Sequence, residues 1–212
     1  MREPEITLNT ELGKNIISFI RDNNIKSVIE IGSGAGNGST QCFLAALLEN
    51  PFDSKLYCFE PNINNYVNLL NFTKTYPWCK CYNNSAISYS DFIVKDYDKD
   101  FWESQYNFFK TDISLKDMVK TWYDGDISFF KNEPFSILPN ISAECVLIDG
   151  CEFSGYSEYK QLHSDIKHII LDDCLTAFKN IQVYSELNIH PNWKLVNQGS
   201  ERNGWAIFSK VN

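Results

Sequence analysis

Four glycines at alternate positions, Gly32, Gly34, Gly36 and Gly38, and five carboxylates, Glu30, Glu60, Asp149, Asp172 and Asp173, have types and spacing that suit chemistry. The glycines follow the apolar, β-branched run Val28-Ile29-Glu30-Ile31 and lead through Ser39 and Thr40 into an apolar helical run, Cys42 to Leu48. Strand, glycine loop and helix form the arrangement that lets backbone approach a nucleotide: no Cβ blocks the way, and the helix N-terminus offers free N–H groups. The dinucleotide spacing G-x-G-x-x-G is absent, because its last position falls on Asn37 or Ser39. Glu60 ends the run Lys55 to Phe59, where a carboxylate can accept both hydroxyl hydrogens of a ribose. Asp149, Asp172 and Asp173 end two further apolar runs. Three carboxylates that close need a cation or a proton, and a hard divalent ion such as Mg²⁺ or Ca²⁺ has the right ligand preference.

These groups need a sheet to hold them. Short runs at 28–31, 55–59, 80–82, 145–148, 168–171, 193–197 and 203–210 read as strands, with helical patterns between them at 39–49, 63–72, 155–164 and 175–187. The spacing predicts a first helix within 8–22, with Thr10 as its N-cap, either covering the core or closing over a ligand. Strand and helix alternation predicts an α/β fold. Its sheet is doubly wound, mostly parallel and seven-stranded, with an antiparallel last strand from a terminal hairpin. Ligands in such sheets bind at the carboxyl ends of the strands. The expected organisation is one domain over 1–212 with an aromatic-rich insertion at about 89–140, where 112–122 has helical spacing. That insertion reads as a substrate lid or oligomer contact, which would make the chain a homo-oligomer, or as a satellite core under a long loop.

Composition bounds the function. The chain has 212 residues, 43% of them apolar, and a net charge of −8, so it is globular and acidic, with no Lys/Arg cluster to meet a nucleic-acid backbone. No apolar run reaches membrane-spanning length, and the charged N-terminus is no signal peptide. Seven scattered cysteines, an odd number, read as buried small hydrophobes in a reducing, cytoplasmic setting. Cys79-Lys80-Cys81 is too close-set for a zinc knuckle and lacks a second pair.

The spacing E-x-G-x-G-x-G resembles motif I of the class I S-adenosylmethionine (SAM) dependent methyltransferases, a Rossmann-like fold. F-E-P-N at 59–62 and N-N-S-A-I-S at 83–88 resemble the FkbM type. The resemblance implies that the loop passes under the amino-acid end of SAM and that Glu30 helps hold its ammonium. Glu30, Gly32, Ser33, Gly34, Gly36, Glu60, Pro61, Asn84, Ser85 and Asp149 would contact the cofactor, with Asn84 and Ser85 near the adenine. I-D-G-C-E-F-S-G-Y and I-I-L-D-D resemble the metal-dependent catechol and macrolide-sugar O-methyltransferases. That implies Asp149, Asp172 and Asp173 as Mg²⁺ ligands and a small hydroxylated acceptor, such as a sugar or glycan precursor, whose hydroxyl attacks the SAM methyl. This chain departs by having Asp173 where the catechol type has Asn, and Glu152 where it has a lysine. The base is then Glu152, His163 or the metal-bound oxygen itself, with Asp149 among the catalytic groups. His163 also reads as a surface residue, and Asp173 as the N-cap of helix 175–187.

Two rivals remain. One is an NAD-dependent sugar-nucleotide enzyme, for which Tyr156 and Lys160 supply the Y-x-x-x-K pair, one strand too early in the chain. The other is a SAM-binding assembly subunit without turnover.

Overall fold

The computed structural model describes residues 4–49, 53–92, 113–131, 133, 135–175 and 179–211, with backbone alone at 113–118. The aromatics Tyr97, Phe101, Trp102, Tyr106, Phe108 and Phe109 of the expected insertion lie outside the described residues.

Seven strands, β1 (Ser27–Ile31), β2 (Lys55–Phe59), β3 (Cys79–Tyr82), β4 (Cys145–Ile148), β5 (His168–Leu171), β6 (Trp193–Gly199) and β7 (Trp205–Lys210), form one sheet ordered β3-β2-β1-β4-β5-β7-β6. The first five are parallel, and β7 runs antiparallel to both β5 and β6, as the sequence predicts. Among the described residues six α-helices accompany the sheet: α1 (Glu11–Asp22), α2 (Ser39–Leu47), α3 (Ile63–Thr73), α4 (Ile113–Phe130), α5 (Gly155–Lys160) and α6 (Ile181–Ile189). Thr10 caps α1, its side chain accepting from the Gly13 N–H.

Strand alternation divides the core in two. Val28, Leu56, Cys58, Cys145, Leu147 and Ile170 face α1 and α2, packing on Ile16, Ile20 and Phe43. Ile29, Ile31, Phe59, Val146, Ile148, Ile169 and Leu171 face the other way, onto Tyr123 and Phe130 of α4 and Val183 and Leu187 of α6. Among the described residues no helix is long and apolar enough to cross a membrane.

The register builds the site. Ile31 pairs with Phe59 and Ile148, Phe59 with Tyr82, and Ile148 with Leu171. The residues that follow, Gly32, Glu60, Asn83, Asp149 and Asp172, therefore emerge along one edge. Bonds beyond the strands keep that edge straight: Gly32 and Ser33 N–H donate to Phe59 O, and Asp149 N–H to Ile31 O.

Three helix boundaries depart furthest from expectation. α4 runs to Phe130, well past 122, and α5 stops at Lys160 rather than 164. The last helix starts at Ile181, after the N-cap Asn180, instead of at 175. Its first residues are taken elsewhere: the N–H groups of Cys174 and Leu175 donate to Gly204 O and Asn203 O of the β6–β7 turn. Asp173, with φ of +49°, therefore caps no helix.

Candidate active site

The glycine loop leaves β1 at Gly32, whose φ is +88°. A Cβ there would sit 2.1 Å from the carbonyl oxygen of Asp149, so β4's exit can pack against β1's only over a glycine. Gly34, with φ of +55°, is the opposite case: its Cβ direction meets nothing within 4 Å among the described residues. The middle of the loop thus presents bare backbone to open space at the carboxyl edge of the sheet. Ser33 is buried beneath it.

Glu60 stands beside that opening. It is 6% exposed, and its carboxylate accepts the N–H groups of Asn62 (2.8 Å) and Gly34. Burial pushes its pKa up, against those two donors. The tip of β2 and the middle of the glycine loop are so joined through one acid. Asn83 steadies the turn, its Nδ2 donating to Glu60 O (2.9 Å) and Pro61 O (3.0 Å).

Glu30 takes its hydrogen-bond partners inside the fold. It is fully buried on the α2 side, accepting from Ser39 Oγ at 2.6 Å and Thr40 Oγ1 at 2.8 Å. Strand parity turns Glu30 inward with Val28, so its carboxylate holds the start of α2 and supports the loop from behind. Burial raises its pKa, opposed by the hydroxyl donors. Asn84 and Ser85 are likewise engaged in their own turn: Asn84 Oδ1 accepts from Ala86 N–H at 2.7 Å, its Nδ2 donates to Glu133, and Ser85 Oγ donates to Ile87 O at 2.8 Å.

The acids after β4 and β5 do converge, and the chain supplies their counterions. Lys179 Nζ lies 2.5 Å from Asp149 Oδ1 and 3.2 Å from Asp173 Oδ2, with its side chain only 8% exposed. Arg202, from the β6–β7 turn, reaches Asp172 and Asp173 at 3.3 Å each and also Glu5. Burial pushes Asp149 up to about 6, against the pull of Lys179, and Asp172 up to about 8, helped by Asp149. Burial alone would lower Lys179, but Asp149, Asp173 and Asp172 outweigh it and keep it an ammonium. The expectation of a divalent ion rested on uncompensated like charges, and that premise does not hold. An ammonium occupies the position between Asp149 and Asp173. The one acidic trio among the described residues with oxygens within 4.8 Å, Glu5, Asp172 and Asp173, is bridged throughout by Arg202. As placed, these residues do not fit a hard divalent ion.

Asn180 ties the two strand ends, its Nδ2 donating to Ile148 O and Asp172 O at 2.7 Å each. Glu152 is half-buried after β4, close enough to raise both Asp126 and Lys179. His163 is not brought to the site. It precedes β5 at the opposite edge of the sheet, its Nδ1 accepting from Asp165 N–H. Tyr156 and Lys160 meet Glu186 of α6 (2.9 Å and 2.7 Å), so the Y-x-x-x-K pair is spent on an ion pair.

Four residues near the site carried no sequence signal: Lys179, Arg202, Asp126 and Glu158. Asp126 of α4 accepts from Phe153 N–H at 3.3 Å, and burial pushes it up to about 7. Glu158 accepts from Ser154 Oγ at 2.6 Å, has Oε2 buried without a hydrogen bond among the described residues, and is pushed by burial up to about 7. A carboxyl raised on folding contributes stability at acid pH that is lost as pH rises through its folded pKa. Thermal denaturation should therefore show Tm falling between about pH 5 and pH 8. Glu158→Gln, which cannot ionise, should flatten that fall and be the more stable protein at the alkaline end. An unchanged slope would remove Glu158 from the account.

Comparison with protein-family models and with curated protein sequences finds no match. Solved structures do match in fold. The chain is similar to a Staphylococcus aureus protein assigned as a caffeoyl-CoA O-methyltransferase (TM-score 0.60, 16% identity, 98% of this chain and 87% of that one). It is also similar to a methyltransferase from Geobacter sulfurreducens (TM-score 0.59, 11% identity, 97% and 81%). A third is the SAH-bound Podospora anserina methyltransferase PaMTH1 (TM-score 0.57, 10% identity, 95% and 78%). At these identities the likeness establishes the fold, a Rossmann-like methyltransferase sheet.

Proposed function

We propose that this chain is a SAM-dependent O-methyltransferase acting on a small hydroxylated acceptor, such as a sugar or glycan precursor. The observation that carries the reading is Glu60, a buried carboxylate on the lip of an open glycine loop, where a ribose diol would meet it. Methyltransferases among the structures of the same fold, one of them SAH-bound, support the same reading.

SAM, when bound, supplies an electrophilic methyl on a sulfonium. The rest falls to this chain's residues. Gly32 to Gly36 give backbone contact without side-chain obstruction, and Glu60 exchanges its two backbone donors for hydroxyls. Asp149, ionised near neutral pH, accepts the acceptor's hydroxyl proton, and Lys179 beside it holds the developing negative charge. Glu152, half-buried just after β4, lies close enough to Lys179 to act on its charge. In-line methyl transfer asks mainly for such positioning and a deprotonated oxygen. No step here runs through a metal.

Calorimetry should detect SAM binding and none for NAD. Release of S-adenosylhomocysteine should occur with some member of a sugar and phenol panel and be insensitive to EDTA. Binding without release on any acceptor would favour the assembly-subunit reading, and NAD binding would overturn the cofactor. Glu60→Gln should weaken SAM by about 10- to 100-fold, the value of a charged hydrogen bond of roughly 1.5–3 kcal/mol.

A further inference from the structure

On the face of the sheet that carries Glu30, away from the open side of the loop, three thiols come together. Cys58 lies on β2, and Cys79 and Cys81 lie on β3, with Cys58 and Cys81 paired in register. Their sulfurs lie within 4.8 Å of one another, with Cys58 and Cys79 3.7 Å apart and Cys79 and Cys81 4.0 Å apart. The close-set Cys79-Lys80-Cys81 pair thus gains from the neighbouring strand the third sulfur that the linear sequence does not supply. Cys58 is buried, whereas Cys79 and Cys81 are half-exposed, so the cluster is built from within and open from without.

We propose that Cys58, Cys79 and Cys81 form a binding site for a single thiophilic d¹⁰ ion, Cu⁺ or Zn²⁺. The spacing is the argument. Three sulfurs about 2.3 Å from a common ion stand about 3.8 Å apart in tetrahedral geometry and about 4.0 Å apart in trigonal geometry. The 3.7 Å and 4.0 Å separations match those values and the third lies within 4.8 Å, so the ion enters with little movement of two strands locked in a sheet. Soft thiolates select these ions over the hard cations considered for the acids at the other strand ends. As each metal–sulfur bond forms, the thiol's proton leaves to solvent, so loading releases up to three protons per ion. One of those protons matters elsewhere: the Cys58 S–H reaches Glu30 Oε2 at 3.4 Å, and Glu30 holds Ser39 and Thr40 at the start of α2. The site does not depend on the methyltransferase reading, since binding is measured without SAM.

The test uses the full chain, reduced and free of oxygen, titrated with Cu⁺ and, as a coloured substitute for Zn²⁺, with Co²⁺. Thiolate-to-metal charge-transfer absorption should saturate at one ion per chain for at least one of the two, and competition between Cu⁺ and Zn²⁺ identifies the preferred ion. Cys79→Ser and Cys81→Ser should each weaken binding by at least about 100-fold, the upper end of the loss seen for mere supporting groups, while Cys151→Ser leaves it unchanged. X-ray absorption at the metal edge of the unaltered protein, which needs no variant to fold, should count three sulfur ligands. No charge-transfer absorption with either ion, retention of it in both serine variants, or two or fewer sulfurs at the metal would overturn the proposal.

Discussion

Gly34→Asn will abolish SAM binding with little change in Tm, and Gly32→Ala will lower Tm steeply. Asparagine tolerates the left-handed backbone that Gly34 adopts at φ of +55°, so folding loses little. Its side chain projects into the space that Gly34 leaves open, against the loop backbone where the donor would lie. We expect calorimetry to show at least about a 100-fold loss of affinity, equivalent to roughly 2.8 kcal/mol. At Gly32 the added methyl has no such freedom. It would meet Asp149 backbone at 2.1 Å, on a residue at φ of +88°. Overpacking and backbone strain together cost about 3 kcal/mol or more, which for a domain of this size lowers Tm by about 10 °C. Undiminished SAM affinity in Gly34→Asn would mean that the loop does not lie under the donor.

Lys179→Met tests the other half of the site. The substitution leaves Asp149, largely shielded, and Asp173, buried, facing each other, with Arg202 as the remaining cation close to the trio among the described residues. Breaking a buried ion pair from one side costs about 3–5 kcal/mol, because the orphaned charge stays desolvated. The penalty should grow with pH. Without the ammonium, Asp149 rises further above its unfolded value, and a raised carboxyl contributes stability at acid pH that is lost as pH passes its folded pKa, here upward from about 6. Tm measured from pH 5 to pH 8 should therefore diverge from the unaltered protein toward the alkaline end. Adding Asp149→Asn to Lys179→Met removes the orphaned charge and should recover part of the stability but none of the methyl transfer. Full recovery of turnover in that double variant would show that neither group touches the acceptor.

The strands were legible in the sequence because their signals are local: β-branched runs bounded by glycine, proline and acidic residues, and a threonine cap three residues ahead of Gly13. The meeting of Glu60 with the glycine loop was legible too. Parallel strands of similar length, hydrogen-bonded in register, must deliver their next residues to one edge, so Ile31, Phe59, Ile148 and Leu171 predict where Gly32, Glu60, Asp149 and Asp172 go. Charge compensation was not legible. Lys179 stands 30 residues beyond Asp149, and Arg202 stands 30 beyond Asp172, with no periodicity linking them. They meet because the β6–β7 turn folds back onto the exit of β5, taking the N–H groups of Cys174 and Leu175 and delaying the last helix to Ile181. The same holds for the arrival of Cys58 beside Cys79 and Cys81. Alternation along a strand follows from the chain alone, but which groups lie opposite one another across a sheet depends on packing, and packing chose the partners of every charge in this site.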